Sequence, residues 1–92
     1  MDGIELFPSL SHCIETTARE EFWNSVNHYM EGGQEDKKLE EKIELLKAFL
    51  ESMDFKKLRS QSEKHLVEGK QVKFIIRWKE DNLSYEMVVT EV

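Results

Sequence analysis

"VKFIIRWKEDNLSYEMVV", residues 72–89, is the stretch whose reading decides the fold. Its first seven residues alternate, with Val72, Phe74, Ile76 and Trp78 on one face and Lys73, Ile75 and Arg77 on the other. A period of two belongs to a β-strand, because successive side chains leave a strand in opposite directions. "KEDN" at 79–82 supplies polar turn residues, and Leu83, Tyr85, Met87 and Val89 then return with the same period. The pattern predicts a β-hairpin whose inner face is rich in aromatic and branched side chains. The outer face is mixed, since Ile75 and Val88 stand there among Lys73, Arg77, Glu86 and Thr90.

Two strands alone are marginally stable in water, so this hairpin has to lie on other elements or recruit further strands. "IELF" at 4–7 is a candidate third strand within the chain. The alternative is a second copy pairing with an open edge, because unpaired strand edges invite association.

Upstream of the hairpin the period is helical. Pro8, Ser9 and Ser11 suit a helix start, and Ile14, Ala18, Phe22, Val26 and Tyr29 then recur at spacings of three and four. Trp23 and Met30 flank this stripe and widen it. Gly32 and Gly33 end the helix, since glycine accepts the left-handed conformation of a C-cap. Leu39, Ile43, Leu46, Leu50 and Met53 form a second amphipathic stripe, with Leu45 and Phe49 beside it. The short link makes these two helices antiparallel neighbours. Over residues 54–69, Phe55, Leu58, Ser62 and Leu66 share a helical face, with Asp54 as N-cap and Gly69 past the end. Strict alternation fails there, which favours a short third helix over a strand. The expected fold is therefore α+β: an antiparallel helical hairpin, a third helix, and a C-terminal β-hairpin packed on them, all within one small domain spanning residues 1–92.

The composition limits the function classes. Ninety-two residues with 39% hydrophobic content support one core and no second. No apolar run approaches the ~20 residues needed to span a bilayer. The opening "MDGIELFPSL" lacks the basic and apolar regions of a signal peptide. The single cysteine, Cys13, excludes an intrachain disulfide, so a reducing, cytoplasmic setting is expected. The net charge of -6 opposes general adhesion to nucleic acid or anionic membrane. Charge is unevenly spread: residues 1–54 carry thirteen acidic and five basic side chains, and residues 55–92 carry six and eight. The two parts stand at -8 and +2.

No catalytic or cofactor template emerges. Four glycines build no phosphate-cradling loop. His12, His28 and His65 are too scattered to form a zinc pattern with Cys13. The acids Glu35, Asp36, Glu40, Glu41 and Glu44 lack the order of a calcium loop. Cys13 falls in the first turn of a helix, where the dipole lowers a thiol's pKa, but no oriented base accompanies it, so we read it as non-catalytic. No catalytic residue, metal or cofactor is expected.

Two surfaces remain. The uncovered outer face of the hairpin, around Ile75, Arg77, Glu86 and Val88, has the look of a protein-binding patch, apolar and ringed by charge. The basic series Lys56, Lys57, Arg59, Lys64, Lys73 and Arg77 is a candidate polyanion surface. Acidic neighbours such as Glu63, Glu68 and Glu80 dilute it, so self-neutralisation of the acidic part is the preferred reading. The leading expectation is a non-enzymatic interaction module, a homodimer or the receiver of another protein. A weak nucleic-acid binder is the alternative. A second alternative is a small-ligand-binding protein or enzyme with a pocket between helices and hairpin, lined by Trp23, Tyr29, Trp78 and Tyr85.

Overall fold

The computed structural model describes residues 3–91. In chain order its elements are β1 (Ile4–Leu6), α1 (Ile14–His28), α2 (Lys37–Ser52), α3 (Phe55–Val67), β2 (Gln71–Lys79) and β3 (Asn82–Thr90). The hairpin closes on a two-residue turn, where Glu80 and Asp81 both take left-handed conformations with φ of 50° and 65°. The twist of such a turn matches the twist of paired strands. From Lys79↔Asn82 to Gln71↔Thr90 the register runs without a bulge. β1 pairs antiparallel with the other side of β2, Ile4 opposite Ile76 and Leu6 opposite Phe74. The third strand thus comes from within the chain, in the order β1-β2-β3.

Three helices precede the hairpin, and residues 54–69 are helical rather than extended. Asp54 caps α3, its carboxylate accepting from the Lys57 N–H at 3.2 Å. Asp36 caps α2 in the same way, accepting from Lys38 and Leu39 at 3.0 and 3.2 Å. The start of α1 is a correction. It begins at Ile14 with Cys13 at the N-cap and without a side-chain cap. Ser9 and His12 instead exchange backbone hydrogen bonds across a turn. The Ser9 hydroxyl accepts from the His12 N–H within that turn, so it is spent before any helix begins.

α1 continues in helical conformation through Tyr29, and the chain then reverses at a kink on Gly32, whose backbone is not helical. The two glycines have different tasks. Gly32 takes a φ of 132°, and Gly33 lies where a Cβ would sit 2.7 Å from the Leu39 side chain. The reversal needs the first, and the close approach of α2 needs the second.

All the buried side chains of the sheet lie on one face. Ile4, Leu6, Val72, Phe74 and Ile76 join Ile14, Ala18, Leu45, Leu46, Phe49 and Leu58 in a single core. α2 and α3 lie on β2, α2 also reaches β3, and α1 packs chiefly on α2. The deepest face of α2 is Leu45–Leu46–Phe49, so residues expected to flank the stripe are its centre. Leu39, Ile43 and Leu50 are only half-buried. Phe49 meets Phe55 of α3 edge-on at 5.4 Å. Trp78 and Tyr85 share the core-facing side of the sheet but remain 43% and 39% exposed. Nine-residue strands extend about 30 Å, and the helical layer covers the Val72–Ile76 end, so the turn end overhangs it.

Candidate functional site

The surface left open by this one-sided packing is built from the hairpin. On its outer face the pairs are Ile75 opposite Glu86, Lys73 opposite Val88 and Arg77 opposite Ser84, with Glu5 of β1 opposite Ile75. Ile75, Arg77, Glu86 and Val88 are thus brought together, as the period-two reading expects. Ile75 and Val88 are half-buried among their neighbours, and Arg77 and Glu86 are exposed. The charges pair within the face: Lys73 Nζ lies 3.7 Å from Glu5 Oε1, and Arg77 Nη2 lies 3.9 Å from Glu86 Oε2. Exposed pairs of this kind are worth ~0–1 kcal/mol, so they set the pattern of the surface more than its stability.

The backbone of β3 adds a second feature. In a hairpin closed by a two-residue turn, the flanking residues exchange both of their backbone hydrogen bonds, and the pairs then alternate. Asn82, Ser84, Glu86, Val88 and Thr90 therefore bond to β2. The N–H and C=O groups of Leu83, Tyr85, Met87 and Val89 point to the open edge. Among the described residues no strand pairs with that edge.

The basic series is not one surface. Arg59 is held by Glu63 at 2.7 Å, while Lys73 and Arg77 belong to the sheet and are paired there. Lys56, Lys57 and Lys64 are exposed on α3 and have no carboxylate within ion-pair distance among the described residues. The aromatic set is divided as well. Trp23 lines a shallow groove on α1 with Thr16, Arg19 and Asn24, and Tyr29 lines another with Val26, Ile43 and Glu44. Neither groove includes Trp78 or Tyr85. Trp23 and Met30 are 55% and 70% exposed, so the hairpin and α3 do not cover them. Trp23 rests edge-on against Phe22 at 5.4 Å.

Sequence reasoning missed one juxtaposition. Cys13 at the start of α1 shares a cleft with Phe55, Lys56 and Arg59 of α3. Its Sγ lies 3.3 Å from the Thr16 hydroxyl. Hydrogen bonds from the Thr16 side chain and backbone hold the thiol below its ordinary pKa, with Arg59 adding a smaller pull. The contact joins positions 46 apart in the chain, and no local pattern announces it. Among the described residues there is no group of three or more His, Cys, Asp or Glu side chains placed to hold a metal ion. No described helix is long and apolar enough to cross a membrane.

No curated protein and no solved structure matches the chain. A protein-family model does match, and its span runs from the first residue of β1 to the residue after β3. The outer face, the open edge and the helices beneath them therefore all lie inside the matched span, and the chain belongs to the family whose model covers residues 4–91.

Proposed function

We propose that the protein is a non-enzymatic interaction module that self-associates through its C-terminal hairpin. The observation supporting this reading is the one-sided sheet: three helices lie on one face, and the other face presents Ile75 and Val88 within a ring of Lys73, Arg77, Glu5 and Glu86. Small apolar centres with a charged rim are typical of protein-binding surfaces. The single free Cys13 supports a reducing, cytoplasmic setting for such a module.

Light scattering on the eluting protein, at low and at moderate salt, tests the reading. The expected mass is twice 10.9 kDa. Replacing Ile75→Lys and Val88→Thr together leaves the fold intact, because both side chains lie outside the core, and it weakens association. Association that survives the double change unaltered removes the outer face from the interface.

Lys56, Lys57 and Lys64 of α3, which have no carboxylate partner among the described residues, support a second reading as a weak polyanion site. It requires oligonucleotide retardation at low salt that falls steeply as salt rises.

A further inference from the structure

β3 is built as an edge that nothing guards among the described residues. Proteins blunt edge strands with shortness, proline, lysine or bulges. β3 has nine residues, no proline, no lysine and an unbroken register. Its one charged residue, Glu86, is drawn back toward Arg77 of β2. Alongside this edge runs a half-covered inner row of Leu83, Tyr85, Met87 and Val89, with Tyr85 the most exposed.

We infer that the occupant of this edge is the β3 of a second copy, paired antiparallel about a two-fold axis with Tyr85 opposite Tyr85. The inference rests on the self-associating reading above and specifies its geometry. A two-fold axis normal to the sheet keeps inner residues opposite inner residues, so only registers that pair like faces are allowed. Charge selects among them. Centring the axis on Glu86 sets two carboxylates directly against each other, an unfavourable cross-strand pair. Centring it on Tyr85 sets Glu86 against Ser84 of the second copy, with that copy's Arg77 next in the row because Arg77 pairs with Ser84. The short serine leaves the arginine free to reach across. Two Arg77–Glu86 contacts then flank the axis by symmetry.

The same register satisfies the open backbone groups. Tyr85 faces Tyr85, and each Leu83 faces a Met87, which gives about six N–H···O bonds. On the inner face the row Trp78–Leu83 of one copy continues into Met87–Phe74 of the other. The core rows of both copies thereby join under a six-stranded sheet. A seven-residue overlap is only ~23 Å long, which places the interface at the small end of specific ones. Association is therefore expected only at tens of micromolar chain or above.

The experiment is light scattering across ~10 µM to 1 mM full-length chain, with circular dichroism to confirm folding. Wild type is expected to move from 10.9 kDa toward twice that mass. Tyr85→Lys puts two ammonium groups at the axis, and at least a tenfold weakening is expected. Leu83→Pro removes an edge N–H that points away from β2; the monomer folds and the dimer is lost. Glu86→Arg and Arg77→Glu each dissociate alone, and mixing the two restores the doubled mass.

If wild type dimerises and Ile75→Lys/Val88→Thr dissolves the dimer while Tyr85→Lys and Leu83→Pro do not, the edge inference is overturned and the hairpin reading stands. A wild type that stays at 10.9 kDa throughout overturns both.

Discussion

The two edges of this sheet are finished in opposite ways, although β2 lies between them and one core supports both. β1 has three residues, preceded by Gly3 and closely followed by Pro8. Two of its three side chains, Ile4 and Leu6, are buried. β3 has nine residues, and none of its side chains reaches full burial. A short strand bounded by glycine and proline offers no template to a neighbour, and a long regular one does. Packing explains the difference. α1 touches the sheet at β1, while of the helices α2 is the main cover for β3. The guarded edge contributes to the core, and the open edge borrows from it.

The strongest way to break the comparison is to remove what both edges share. Phe74 is fully buried on β2, opposite Leu6 on one side and Met87 on the other. Phe74→Ala leaves a cavity beneath both strands, and a loss of about 3–5 kcal/mol is expected. That is a large part of the stability available to a domain this small. Urea unfolding monitored by circular dichroism measures it. A loss below about 1 kcal/mol would mean that the edges are held independently of β2's inner face.

A smaller change separates the two edges. Gly3 has a φ of 106°, and a Cβ there would lie 2.9 Å from the Ile76 carbonyl oxygen. Gly3→Ala combines an unfavourable conformation with a clash against β2, at a cost of about 1–3 kcal/mol. The effect is expected to centre on the β1–β2 contact, because Gly3 adjoins Ile4 and faces Ile75, Ile76 and Arg77 of β2. Amide exchange is expected to speed up at Ile4 and Leu6, and to stay unchanged across the β2–β3 pairs. Equal acceleration in β3 would show that the guarded edge props up the open one.

Much of this was legible in the sequence, because the rules that govern it are local. The alternation of residues 72–89 places Ile75, Arg77, Glu86 and Val88 on one face whatever the tertiary context, and Asp54 announces a helix through its own side chain. The third strand was readable only as an alternative, since three residues of "IELF" carry too little pattern to choose a partner. What local rules do not reach is how far one layer covers another. Trp78 sits in phase with Val72, Phe74 and Ile76, and only the length of the helices beneath decides that it is exposed. Leu45 and Phe49 sit off the regular stripe of α2, yet the sheet lies on that side and makes them its centre. The Cys13–Arg59 cleft likewise follows from how α3 crosses the start of α1, which no spacing encodes.

The smallest effect lies at Cys13, where the segment that ties off the guarded edge ends and α1 begins. The Thr16 hydroxyl, the Thr16 and Glu15 N–H groups and the Arg59 charge all favour the thiolate, outweighing the opposing effect of burial. The folded chain therefore releases this proton at lower pH than the unfolded chain does. Any stability gained from it is present above the unfolded thiol's pKa, near ~8.5, and is lost as pH falls through the folded value. Alkylation by iodoacetamide as a function of pH reads the folded midpoint directly, because the thiolate is the reacting form. Thr16→Val is expected to move that midpoint upward, and Arg59→Gln to move it upward by less. The Arg59 effect should shrink further in salt, since the guanidinium is exposed and already engaged by Glu63. The open edge supplies the control: Tyr85→Lys should leave the midpoint where it is. A shift with that variant would mean that the two ends of the sheet are coupled through the helices, and the division between a guarded and an open edge would then have to be redrawn.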